Sequence, residues 1–278
     1  MVKIIVDSCS DLSPELIKRF DIEVIPLSIL VDGQTYLDGV ELSTSQLFES
    51  VKKTGVLPKT SAPSVAAFTN VFEKHDEFIY LSISSKLSAS FQSAHLALEA
   101  LPKSHKGKLI DSLNLSTGIG LLALRAAELS QQGKSMDEIV KEVTALIDNV
   151  NTSFMIDTLD YLYMGGRCSA MEHIFGSILK IKPIIEVRKD GTLGVKEKIN
   201  GSRKKCLNSL LEDFSKKKDI VDPGRVFVTH VLCPDDAAFL KTELEKIMPI
   251  DEVCITDAGS TVASHCGIGT IGILFFQK

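Results

Sequence analysis

The sequence has no closely spaced pair of cysteines. Cys9, Cys168, Cys206, Cys233, Cys254 and Cys266 are scattered along the chain, and no CxxC occurs. A disulfide scaffold and a cysteine-based zinc site are therefore not expected, and a reduced, cytoplasmic protein is. Long apolar runs are missing as well. The longest, such as Ile271–Phe276, cannot cross a bilayer. Asp7 comes too early to leave room for the apolar core of a signal peptide. Positive charge is not in excess: the formal net charge is -5, which disfavours a nucleic-acid partner. Lys204-Lys205 and Lys216-Lys217-Lys218 are short clusters beside acids and read as solvated helix faces. There is no Walker A sequence, no G-x-S-x-G elbow and no ligand spacing among His75, His95, His105, His173, His230 and His265. No metal and no cofactor are expected.

What is present is an ordinary globular chain. It has 278 residues, 44% apolar and 24% charged, enough for one large or two ordinary domains. Val2–Val6 reads as a buried parallel strand. Ser13-Pro14-Glu15 opens a helix, with serine as the cap and proline at the first turn. Ile22–Leu30 reads as one further strand. Ser43 with Gln46, and Ser135 with Glu138, have capping-box spacing ahead of apolar stripes. Helices are also expected at 64–74, about 88–101 and 117–131, and strands at 78–83 and 108–111.

After residue 150 the pattern changes. A strand at 153–158 is followed by short helical pieces around Leu159–Tyr163 and Met171–Leu179. Asp190-Gly191 marks a hairpin between Pro183–Val187 and Thr192–Ile199. Helices at 202–217 and 235–247 and strands at 225–231, 251–256 and 270–276 complete the chain. The fold class expected is α/β with two domains. Residues 1–150 would form a doubly wound, mainly parallel sheet, and residues 151–278 an α+β domain with a mixed sheet.

Three stretches are candidates for chemistry: Thr60-Ser61-Ala62-Pro63-Ser64, the serines from 82 to 93, and Gly165-Gly166-Arg167. The first two each precede a helix, where hydroxyls cap the helix or join its N–H groups in holding an anion. Arg167 is either a surface ion pair or a cation beside that site. Gly118 and Gly120 open a helix and are read as packing glycines in preference to a phosphate loop. Gly267, Gly269 and Gly272 run into a strand, the wrong setting for a dinucleotide fingerprint. Asp7 and Asp11 are read as turn and capping residues in preference to a cation site.

Taken in order, the motifs resemble those of the DegV family of bacterial fatty-acid-binding proteins, over essentially the whole chain. They are Val6-Asp7-Ser8 with Asp11-Leu12, Thr60-Ser61-Ala62-Pro63-Ser64, and Ser84-Ser85-Lys86-Leu87-Ser88 with Gln92-Ser93-Ala94. Asp111-Ser112, Leu159-x-Tyr161-Leu162-x-x-Gly165-Gly166-Arg167 and His265-x-Gly267-x-Gly269-x-x-Gly272 continue the set. The resemblance implies a long-chain fatty acid held between two domains, its acyl chain in an apolar tunnel. It implies carboxylate ligands at Thr60, Ser61 and Ser88, with Ser90 as a second hydroxyl. Arg167, Arg203 and His265 would lie near the head group or at a partner's docking surface. It further implies a carrier without catalysis of its own, presenting the acid to a separate fatty acid kinase that makes acyl phosphate for phospholipid synthesis. Transient contact with a membrane surface is compatible with that role. Ala89-Ser90-Phe91 departs from the usual Gly-Thr-Tyr, so a shifted loop after Ser88 is expected. Cys266 and Ile268 stand where Thr and Pro are common, and Cys266 is read as a small buried residue.

The physics of a lipid carrier agrees with this. Burying each CH₂ is worth about 0.8 kcal/mol, and hydroxyls or helix N–H groups can hold the desolvated carboxylate. Two other classes remain at this stage. One is a serine-dependent acyl hydrolase using His265, and the other is a phosphate- or nucleotide-binding domain using Gly118 and Gly120.

Overall fold

The computed structural model describes residues 1–102, 104–167 and 181–278. The helix expected at Met171–Leu179 lies outside the described residues. In the first half, strands β1 (Lys3–Asp7), β2 (Glu23–Ile25), β6 (Glu77–Ser82) and β7 (Lys106–Asp111) form a parallel sheet in the order β2-β1-β6-β7. In the second half, β8 (Val150–Met155), β9 (Ile181–Val187), β10 (Leu193–Asn200), β11 (Val221–His230), β12 (Val253–Asp257) and β13 (Ile271–Gln277) form a mixed sheet. Its order is β10-β9-β8-β13-β11-β12, and its only parallel pair among the described strands is β11 with β12. The molecule is thus an α/β fold with a parallel-sheet domain and a mixed-sheet domain.

Local chemistry sets the helices. Ser13 Oγ accepts from Leu16 N and Pro14 opens α1 (Pro14–Arg19). Both capping boxes form, at the starts of α2 (Thr44–Thr54) and α6 (Met136–Leu146). Ser64 Oγ accepts from Ala67 N at the start of α3 (Val65–Phe72). The parallel sheet is covered on both faces. Ile5, Phe78 and Tyr80 pack with Phe68 and Phe72 of α3 and Ala94 and Ala97 of α4 (Ser90–Ala100). The alternate residues Ile4, Val6, Ile79 and Leu81 pack with α5 (Thr117–Gln131) and α6, as a period of two requires.

Helix α5 lies between the sheets. It touches β1 and β6 of one and β8, β11 and β13 of the other. That double burial accounts for its alanines, leucines and glycines. A Cβ on Gly118 would sit 2.1 Å from Asn114 Oδ1, and one on Gly120 would sit 2.8 Å from Leu12. Both glycines are close-packing positions.

Three features differ from the sequence expectations. The strand expected at 22–30 is two, β2 and β3 (Ser28–Val31), separated at Pro26-Leu27; proline has no N–H for a ladder. Strand β3 pairs antiparallel with β4 (Gln34–Leu37) and β5 (Lys59–Ser61) in a small third sheet. Residues 257–270, which gave no sequence signal, contain α10 (Ser260–Cys266). The remaining described helices are α7 (Asp160–Met164), α8 (Arg203–Lys217) and α9 (Pro234–Ile247).

Candidate functional site

In the parallel sheet the chain runs from β1 outward to β2, then returns across β1 to β6 and β7. The reversal falls between β1 and β6, and the crevice beyond the carboxyl ends of such strands is the usual ligand site of an open α/β sheet. A cavity of about 50 Å³ lies there. Cys9 follows β1, and Ile83, Leu87 and Ser88 follow β6. Thr60 and Ser61 come from β5, Leu162 and Arg167 from α7 and the turn after it, and Leu193 from β10. Thr261, Val262, His265 and Cys266 come from α10. A wider groove of about 640 Å³ elsewhere is lined by Arg125, Glu128, Glu142 and Arg225. Its charges pair among themselves, Arg225 with Glu128 at 3.1 Å and Arg125 with Glu142 at 3.4 Å, leaving little to recognise a ligand.

The cavity has a polar mouth and an apolar interior. Thr60 Oγ1 lies 2.7 Å from His265 Nε2. Ser88 Oγ accepts from Ser90 N at 3.2 Å and lies 2.9 Å from Ser90 Oγ. Ser88 faces the cavity, whereas Ser90 is fully buried behind it and does not line it. The backbone at Ala89 does not call for glycine. Ala89 has φ -80° and ψ 4°, a conformation that costs alanine nothing. Arg167 is half-buried. Its Nε donates to Leu87 O at 3.1 Å and its Nη1 to Gly165 O. Among the described residues it has no carboxylate partner, so the ion pair weighed for it is not seen there. Ile83, Leu115, Leu162, Leu193 and Val262 make the interior.

Arg203 sits elsewhere. Its Nε donates to Asp236, its Nη1 pairs with Asp157 at 3.3 Å, and its Nη2 donates to Gly269 O at 2.8 Å. It does not line the cavity but braces the glycine turn that follows His265. Thr60, Ser61, Ser88, Arg167 and His265 are therefore gathered around one space, with Ser90 behind them and Arg203 apart.

Electrostatics around the cavity favour neutral forms. Burial, then the nearby Arg167 guanidinium, pushes the His265 imidazolium down to about 4. Burial also lowers the Arg167 guanidinium. It raises the Cys9 thiol well above its ordinary value and Cys266 to about 12, so neither is a thiolate near neutral pH. His265 Nδ1 is buried without a hydrogen-bond partner. It abuts Gly165, where a Cβ would come within 2.2 Å of it. The hydrolase arrangement fails on these facts. The hydroxyl on His265 belongs to a threonine, no acid among the described residues orients the ring, and a group titrating near 4 is a weak general base.

Three buried carboxylates that the sequence reading took for turn residues, or passed over, hold the walls together. Asp7 accepts from Cys9 N at 3.1 Å, Ile83 N at 2.8 Å and Tyr80 Oη at 3.0 Å. It thereby ties the ends of β1 and β6. Asp11 accepts from Ser116 Oγ at 2.6 Å and Gly259 N at 2.8 Å, joining the starts of α5 and α10. Asp38 accepts from Ser8 Oγ at 2.8 Å. Its Oδ1 and Thr261 Oγ1 have no partner in hydrogen-bond geometry, although the threonine tempers the rise that burial imposes on Asp38. Ser84 Oγ donates to Gly191 O at 2.8 Å, docking the β9–β10 hairpin turn on the loop after β6.

Comparison with known proteins places this architecture. The DegV family model, described as an uncharacterised protein of the DegV family, matches residues 1–278. A DegV domain-containing protein of Clostridium acetobutylicum is 33% identical, over 100% of this chain and 99% of its own. The solved structure of a DegV family protein from Thermus thermophilus, described for its fatty acid binding, superposes with a TM-score of 0.92. It is 29% identical and covers 100% of this chain and 99% of its own. A stearic acid-binding protein from Eubacterium ventriosum superposes with a TM-score of 0.89 at 28% identity, covering 100% and 99%.

Proposed function

This chain belongs to the DegV family, and from that premise we propose that it binds a long-chain fatty acid in the cavity between its two sheets. One observation carries the proposal. A mouth of uncharged hydroxyls opens on an apolar interior at the switch point of the parallel sheet. In this reading Thr60, Ser61 and Ser88 hold the carboxylate. Ser90 orients Ser88 through their 2.9 Å contact. His265 is neutral and fixes Thr60. Arg167 lies at the rim, with its guanidinium free of any carboxylate among the described residues. The acyl chain supplies most of the affinity, at about 0.8 kcal/mol per CH₂. Hydroxyl ligands leave a carboxylate oxygen open to a phosphoryl donor. That opening supports a carrier that presents the acid to a separate fatty acid kinase, without catalysis of its own.

Organic extraction of the purified protein, or native mass spectrometry, should find a bound acid of roughly 14–20 carbons. Protein that is ligand-free and refuses added fatty acid would sink the proposal. Ser88→Ala should weaken retention about tenfold or more, the worth of a hydrogen bond to a charged group. Unchanged retention would remove Ser88 from the site.

A further inference from the structure

Behind the cavity lies a second, smaller one of about 20 Å³. The two linings share Leu115, Val262 and Cys266 and no other residue. Val262 and Cys266 are four apart on α10, so they face the same side. Together with Leu115, at the start of α5, they form the wall between the two spaces. The far wall belongs to the mixed sheet, with Phe154 on β8 and Gly272 and Leu274 on β13. Gly272 has no room for a side chain, since a Cβ would sit 2.8 Å from Phe154 Cβ and 2.9 Å from Ser153 O. The far wall is therefore backbone and packed aromatic, and it does not yield.

The inner space is lined by four hydroxyl residues, each engaged within the protein, and by His230, whose Nδ1 lies 3.4 Å from Cys233 N and 3.4 Å from Asp257 Oδ1. The Ser116 hydroxyl is engaged by Asp11 at 2.6 Å and that of Thr152 by Asn114 at 2.8 Å. Thr229 is engaged by Thr117 at 2.6 Å and Thr256 at 2.9 Å. Thr270 donates to Cys266 O at 2.9 Å. With these hydroxyls satisfied inside the protein, an apolar group can occupy the space without orphaning them. The volume admits one group about the size of a water molecule, which suits a chain end and not a chain middle.

Resting on the fatty-acid reading above, the geometry points to Val262, with Leu115 and Cys266, as a throat that determines specificity. The acyl chain passes it and ends with its terminal methyl against Phe154 and Leu274, and the fixed wall there limits chain length. Each methylene buried before that wall should tighten binding about fourfold. The first carbon beyond it should gain nothing.

The test is a ladder of straight-chain saturated acids from 10 to 20 carbons, measured on the full chain by competition. The wild type is expected to climb about fourfold per carbon and then break. Val262→Phe, which fills the throat, should move the break at least two carbons shorter. A break at the same carbon number in folded Val262→Phe overturns the inference. Should that variant not fold, a fatty acid carrying a ¹³C terminal methyl is bound to the wild type instead. Nuclear Overhauser contacts from that methyl to Phe154 or Leu274 support the throat, and their absence in the bound complex overturns it. If no acid of any length binds the wild type, it is the fatty-acid reading that falls.

Discussion

The region around the cavity and the ion-paired arginines of the mixed-sheet half handle charge in opposite ways. Around the cavity every perturbed group is driven towards its neutral form. Asp7 is raised to about 6. Asp11 and Asp38 also go up, with burial the largest cause in each case. His265 and Arg167 go down. Among the described residues no cation pairs with the three acids, whose partners are hydroxyls and backbone N–H groups. For the ion-paired arginines of the mixed-sheet half the charged forms win, although burial lowers Lys196 on β10 and His230 on β11. Burial, the largest single cause, works against the Arg203 and Arg225 cations, but Asp236 with Cys233 and Asp157, and Glu252 with Glu128, together outweigh it and both are raised. Glu252 is lowered in return, against its own burial, by Arg225. The difference teaches where desolvation is tolerated. A buried wall excludes charge, whereas partly exposed arginines can be braced by ion pairs.

The sharpest way to break this contrast is to put a charge on the cavity side. Cys9→Asp would add a buried carboxylate beside Asp7, Asp11 and Asp38, with only the half-buried Arg167 guanidinium near enough to offset it. A loss of about 3–5 kcal/mol in urea denaturation at neutral pH is expected, partly recovered on acidification. A loss below 1 kcal/mol would show that the cavity wall admits charge after all.

Next in size is the pH dependence. Asp7 titrates near 6 in the folded protein against an ordinary 3.8. Between those values the native state holds the extra proton. The Asp7 contribution to stability is therefore present in acid, declines as pH rises from about 4 to 6, and amounts to about 3 kcal/mol. His265 has the reverse sign in an overlapping window. Its folded value near 4 lies below the ordinary 6.5, so its contribution is lost as pH falls from about 6.5 to 4. Comparing each of Asp7→Asn and His265→Gln with the wild type at pH 4.5 and 7 separates the two. Stability differences that do not change with pH in either variant would remove the buried-neutral account.

On the braced side, Arg203→Met should cost about 1–2 kcal/mol, because its ion pairs are partly exposed. Fatty-acid retention should change only a few-fold, since Arg203 braces the turn after His265 without lining the cavity. A loss as large as that from Ser88→Ala would return Arg203 to the head group. The smallest effect is expected at Ala89→Gly. It should cost about 0.5 kcal/mol through the unfolded chain and leave retention unchanged, because Ala89 is already in an unstrained conformation.

Much of this was legible in the sequence. Capping at Ser13, Ser43 and Ser135, the Asp190-Gly191 hairpin and the change from parallel to mixed sheet all follow from short-range chemistry. The hydroxyl stretches at 60–61 and 82–93 were visible as candidates. Helix α10 was not. Its residues are small and almost all buried, so they lack the polar face that gives a helix its period. The small sheet of β3, β4 and β5 was missed because its strands are three or four residues long.

The sequence by itself determined most of the elements, the family resemblance and the supply of hydroxyls ahead of two helices. Only the tertiary structure decided which of those hydroxyls face a common space. Thr60 meets His265 across 205 positions of chain, and Ser88 and Ser90 separate into a wall residue and its support. Arg203 is engaged by Asp157 and Asp236, two aspartates that sequence proximity does not associate with it. The physical reason is that capping, turns and periodicity act over a few residues. Desolvation depends on everything that surrounds a group, and here it fixes which groups remain neutral and where an apolar chain fits.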